Sequence, residues 1–202
     1  MGTLKPSEAL ILEKLKEPHD LQAYVDGLTY HIGPRLCPVA VLRSNQGDCF
    51  EAAIFACAVM RQHKVPCFLV DLRAVQDEDH VLAVFKVNGR FGAIAKSKYL
   101  GLKYRNPVFF TVQELVMSYF EHFFNYRREL TLRAYSEPFH LSAFGDLWLL
   151  KKAQLNAIEK RLDTMKHHRI LSNKARLPRV DPVRFHKEAL LAKDGKPFKG
   201  KA

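Results

Sequence analysis

Cys49 lies in the segment N-Q-G-D-C-F-E-A-A-I-F-A-C-A-V-M-R, where chemistry and local structure meet. Gly47 is a turn residue, Asp48 suits an N-cap, and Glu51 follows at the spacing of a capping box. Phe50, Ile54, Cys57 and Met60 then recur at helical intervals. Cys49 therefore falls in the first turn of a buried helix, where unpaired N–H groups and the helix dipole favour a thiolate. Further on, D-E-D-H-V-L-A-V-F-K-V puts His80 at the start of a strand. A thiol on a helix start and an imidazole on a strand start are the two parts of a Cys-His nucleophilic pair. Two considerations weigh against that reading. Free cysteine is often only a small buried hydrophobe. Asp48 and Glu51, if close to the sulfur, raise its pKa.

These residues need elements to position them. The pattern predicts a short helix over Ser7–Lys16 and a second through Leu21, Val25 and Leu28, ending near Gly33-Pro34. Residues 37–43 are ambiguous, and the Cys49 helix runs to about His63. After Pro66 comes a strand, C-F-L-V-D-L-R-A, then a second over Val81–Val87. Asn88-Gly89 is a two-residue hairpin turn leading to a third strand, Phe91–Ala95. K-S-K-Y-L-G-L-K-Y-R-N-P-V reads as irregular, Thr111–Phe123 as a helix, T-L-R-A-Y as a strand, and Leu147 to His168 as one long helix.

The net charge of +11 is uneven. Residues 151–202 hold 15 Lys or Arg against 5 Asp or Glu, a net of +10, whereas residues 1–150 hold 17 against 16, a net of +1. The expected organisation is one domain over residues 1–170 and a basic, loosely ordered tail over residues 171–202. Lys151, Lys152, Arg161, Lys166, Arg169, Lys174, Arg176 and Arg179 are candidates for weak polyanion contact; a solvated tail is the plainer reading. The N-terminal residues carry no signal-peptide pattern, and no uncharged apolar run is long enough to span a bilayer. Cys37, Cys49, Cys57 and Cys67 show neither C-x-x-C nor zinc spacing, which suits reduced thiols in the cytoplasm.

The order of elements resembles the transglutaminase-like superfamily, a branch of the papain-like cysteine enzymes. G-D-C at Gly47–Cys49, H-K-V-P-C-F-L-V after the helix, and D-H-V-L-A-V-F-K-V-N-G-R-F-G-A-I-A at Asp79–Ala95 carry the likeness. It covers roughly residues 41–110. G-A-I-A-K-S-K-Y-L-G-L and E-L-V-M-S-Y-F are similar to phrases in bacterial members without an assigned function. The resemblance implies an α+β fold: a papain/transglutaminase-like core with the Cys-bearing helix packed on a small antiparallel sheet, plus extra N- and C-terminal helices. It also implies Cys49 as nucleophile, His80 as general base and no obligatory cofactor, with a protein, peptide or small amide as substrate.

One position departs from the family. The Asp that orients the imidazole belongs four residues after the aromatic of the third strand, and Ala95 stands there. Period-two alternation puts Ser97 on the same face and Lys96 on the other. Ser97 is the candidate orienter, with Asp79 or Asp71 as substitutes from another direction. Gln46 is a candidate oxyanion donor beside the Cys49 N–H. The expected function is cysteine-dependent transfer or hydrolysis at amide-type bonds. The alternatives are a catalytically degenerate binding module of the same fold and a polyanion-associated protein using its basic tail.

Overall fold

The computed structural model describes residues 4–188. Helices α1 (Pro6–Glu13), α2 (Pro18–Gly27) and α3 (Pro38–Ser44) precede α4 (Cys49–Gln62). Strands β1 (Cys67–Ala74), β2 (His80–Val87), β3 (Arg90–Ile94) and β4 (Arg105–Phe109) follow. The chain continues through α5 (Val112–Phe120), β5 (Leu132–Ser136), α6 (Lys152–Thr164), β6 (His167–Arg169) and α7 (Pro182–Glu188). Proline opens each of the first three helices, where its missing N–H costs nothing and its fixed φ suits the first turn. Asn45 ends α3 in the left-handed conformation.

The fold is α+β, and its strands form an open sheet ordered β4-β3-β2-β1-β5-β6 with every pair antiparallel. Asn88 (φ 49°) and Gly89 (φ 77°) close the β2–β3 hairpin in the left-handed region that a two-residue turn requires. Leu69, Val81, Ala83, Phe85 and Ile94 face α4. Val70, Leu72, Leu82, Val84 and Ala93 face α5 through Leu115, Val116 and Tyr119. Because the central strands are covered on both sides, they read as continuous apolar runs rather than alternating ones. Helix α4 is buried without a break from Phe50 to Met60, and each of its large side chains contributes about 1.5–3 kcal/mol by leaving water. That burial fixes the N-terminus of α4, and Cys49 with it, against the start of β2.

Several expectations need correction. The helix expected from Leu147 to His168 is a 3₁₀ turn at Leu147–Leu149, then α6, then β6. Lys151 is extended (φ −74°, ψ 158°) and starts a new helix. The free edge of β5 takes residues 167–169 as a strand, with His167 Nε2 3.0 Å from Asp71 Oδ2. Of the ambiguous residues 37–43, Cys37 is the N-cap of α3 and the rest belong to that helix. The stretch read as irregular contains β4, an outermost strand where Pro107 is tolerated. Helix α2 stops at Gly27, short of Gly33-Pro34.

The chain beyond residue 170 also makes specific contacts with the body. Ile170 and Leu171 donate their N–H groups to the Arg133 carbonyl at 2.8 and 3.2 Å, and Val180 donates to that of Arg128 at 2.8 Å. Val180 is buried in a cluster with Phe124 and Leu130. The rest of the basic segment, residues 189–202, lies outside the described residues. No helix among the described residues is long and apolar enough to cross a membrane.

Candidate functional site

Asp48 caps α4: its carboxylate accepts the Glu51 N–H at 2.9 Å, and the Glu51 carboxylate accepts the Asp48 N–H at 3.1 Å. Glu51 is fully buried and its other partners are in the preceding loop. It meets His31 Nδ1 at 2.9 Å and accepts the Leu36 N–H at 2.8 Å. The box thus starts the helix and also ties down residues 31–36. Asp48 makes an ion pair with Arg35, which also pairs with Glu159 of α6 and stacks over Phe50 at 4.9 Å.

Cys49 is the first residue of α4 and is partly buried. Burial comes first and the Asp48 charge second in pushing its thiol up to about 12; the Val81 and Phe50 N–H groups and Arg35 oppose them. The helix start alone favours a thiolate, and desolvation overrides it here. At neutral pH Cys49 is therefore a thiol. The peptide that follows His80 thus bears on the charge of the nucleophile candidate.

His80 opens β2 and is buried. By register it shares the face of Leu72, Leu82 and Val84, and its ring lies edge-on to Phe123 with centroids 6.4 Å apart. Cys49 belongs to α4, which packs on the opposite face of the sheet. No hydrogen bond joins the two side chains among the described residues. The ring instead donates from Nε2 to the Leu102 carbonyl at 2.9 Å. A carbonyl only accepts, so Nε2 carries the proton and the neutral ring keeps its lone pair on Nδ1. Burial pushes the imidazole down to about 4; the Leu102 carbonyl opposes this, Arg105 adds to it and Asp48 opposes it.

Ser97 is buried, and its Oγ accepts the Tyr99 N–H at 3.0 Å. The orienting bond expected of Ser97 is the one Leu102 makes. Strand β3 ends at Ile94, before Ser97. Ala95 lies on the His80 side of the sheet, where the family resemblance puts the Asp. Its N–H and carbonyl are both bonded to the Gln22 side chain at 3.0 Å. Lys96 turns away, and its Nζ donates to the carbonyls of Asp26 and Leu28 at 2.9 and 2.5 Å. Gln46 is exposed, in a loop stitched to Thr29 through the Gly47 N–H at 3.0 Å. Asp79 accepts the Ala74 N–H at 2.7 Å, and Asp71 is engaged with His167. The hydrogen bonds of these two carboxylates go elsewhere than to His80.

Three residues near Cys49 carry no signal in spacing. Burial raises the Tyr30 phenol, with charges at Cys49 and Asp48 adding to it. Lys98 stands over the Tyr30 ring at 4.1 Å, and burial lowers its pKa. Arg35 is the third. All three lie in loops, which deliver side chains to sites without any periodicity to read. Among the described residues no group of three or more His, Cys, Asp or Glu side chains is arranged to hold a metal ion. No protein-family model matches the chain, and no curated protein matches it.

Proposed function

We propose that the protein is a cysteine-dependent acyl transferase or hydrolase of amide-type bonds, built on a transglutaminase-like core. The observation that carries this reading is that Cys49 opens α4 and His80 opens β2, the strand on which α4 packs, with the Val81 N–H among the groups that favour the Cys49 thiolate. It is supported by the Nε2–Leu102 bond, which leaves Nδ1 as a proton acceptor. Both partners start neutral, so the reaction begins as general-base catalysis rather than from a preformed ion pair. Nδ1 takes the thiol proton as the sulfur attacks the acyl carbon, and returns it to the leaving amine. Catalytic hydrogen bonds often close only in the substrate complex, so a resting site with no Cys49–His80 hydrogen bond among the described residues is compatible with this path. The imidazolium formed in the transition state is stabilised by Asp48 and the Leu102 carbonyl, in place of the family carboxylate. The Cys49 N–H, at the unpaired start of α4, and Gln46 are the proposed oxyanion donors. Water or an amine then resolves the thioester.

A second reading, a non-catalytic binding module, is favoured by Ala95 at the carboxylate position and by the raised Cys49 thiol. Polyanion contact through the basic C-terminal segment is a third and weaker one. Hydroxylamine trapping separates the first two. The full chain is incubated with glutamine- and asparagine-containing peptides and hydroxylamine, and hydroxamate is measured. The enzyme reading expects product that Cys49→Ser abolishes. Hydroxamate formation no faster than in the Cys49→Ser protein contradicts it and supports the binding module.

A further inference from the structure

Cys57 and Cys67 take no part in the chemistry proposed for Cys49. Cys57 lies eight residues along α4 from Cys49, about 12 Å down the axis. Its sulfur is 2.8 Å from that of Cys67, the first residue of β1. Cys57 is buried, whereas Cys67 is partly exposed. Both line a cleft of about 280 Å³ together with Arg61, Lys64 and His140. One thiol is therefore accessible beside cationic side chains, and a second waits behind it.

We propose that Cys57 and Cys67 form a reversible dithiol–disulfide couple oxidised by hydroperoxides. Cys67 starts the reaction because solvent reaches it, whereas Cys57 is buried behind it. Its sulfur attacks a peroxide oxygen; the S–O bond forms, the O–O bond breaks, and the departing oxygen leaves as water or an alcohol. The Cys57 sulfur then attacks the sulfenic acid; the S–S bond forms, the S–O bond breaks, and a water leaves. Two thiols lose two electrons, and one peroxide gains them. Burial and the neighbouring thiol raise the Cys57 pKa, which suits a resolving rather than an initiating cysteine. The bond ties the C-terminal half of α4 to the start of β1, at the end of the helix away from Cys49. A small thiol such as dithiothreitol restores the pair by exchange.

The test uses the full chain treated with stoichiometric hydrogen peroxide, then digested without reduction for peptide mapping. The expected result is a Cys57–Cys67 linked peptide, a loss of two hydrogens in the intact mass, reversal by dithiothreitol, and a higher melting temperature for the oxidised form. Cys57→Ser should leave a dimedone-trappable sulfenic acid on Cys67. The wild-type mapping needs no variant to fold. Oxidation at Cys37 or Cys49 with Cys57 and Cys67 still reduced overturns the proposal, as do disulfides formed only between chains.

Discussion

The bond from His80 Nε2 to the Leu102 carbonyl, 2.9 Å long, sets both the tautomer and the orientation of the ring. It also links the start of β2 to the 3₁₀ turn at Leu100–Leu102. Loop position and ring chemistry are thereby coupled.

A pH dependence follows. His80 titrates near 6.5 when unfolded and is held down at about 4 in the fold. Between these values the unfolded chain binds a proton that the folded chain refuses. Stability is therefore full above about 6.5 and falls as pH drops towards 4, by about 3 kcal/mol. Urea midpoints at pH 7.5 and 4.5 should show the loss, and His80→Gln should remove most of it. Glu8 acts in a lower window. Its carboxyl is lowered from 4.5 to about 2, first by Arg43, so its contribution is kept above 4.5 and lost as pH falls through 2.

Cys49 should alkylate slowly with iodoacetamide at neutral pH, because burial and Asp48 hold its thiol up at about 12. Asp48→Asn keeps an N-cap oxygen but removes the charge and releases Arg35 from its pair. Alkylation should then accelerate on the order of tenfold, the factor one pKa unit carries. An unchanged rate would show that Asp48 has no influence on the sulfur.

Gln22 completes the site from below. Replacing it with Leu strands the N–H and carbonyl of Ala95, both buried. A cost of about 3 kcal/mol is expected, given 1–3 kcal/mol for each unmet buried group. Thermal and urea melts measure it.

Gly92 supports the hairpin. A Cβ there would lie 2.5 Å from the Phe85 ring and 2.8 Å from the Arg105 carbonyl. Gly92→Ala should destabilise by about 2 kcal/mol through overpacking. Gly27→Ala, where a Cβ meets nothing within 4 Å, is the control.

Val180 ties part of the basic segment to the body. Removing residues 172–202 uncovers Phe124 and Leu130, which Val180 covers, so that truncation should lower the melting temperature by several degrees. Val180→Asp should do the same in the full chain.

Much of this arrangement is legible in the residues. The Asp48–Glu51 capping box, the Asn88-Gly89 turn and the uninterrupted apolar run of β2 are local signals, and local physics decides them. What the sequence hides is decided at a distance. Strand β6 exists because β5 has an open edge, a fact absent from the pattern H-H-R. Lys151 breaks a helix that Leu147 to Leu162 otherwise suggests. The partner of His80 is a backbone carbonyl, and no side-chain type announces it. The Cys49 pKa depends on burial that opposes the helix dipole, and only the packed structure tells which wins.

The central claim is that Cys49 accepts an acyl group with His80 as its base. Intact-mass spectrometry after brief exposure to a p-nitrophenyl acyl ester tests it directly, with the modified residue located by peptide mapping. The account predicts one acyl adduct on Cys49, at least 100-fold slower to form in His80→Asn, the scale of a lost general base, and little changed in Ser97→Ala. Acylation of Cys49 at the same rate without His80, or only of other cysteines, contradicts it.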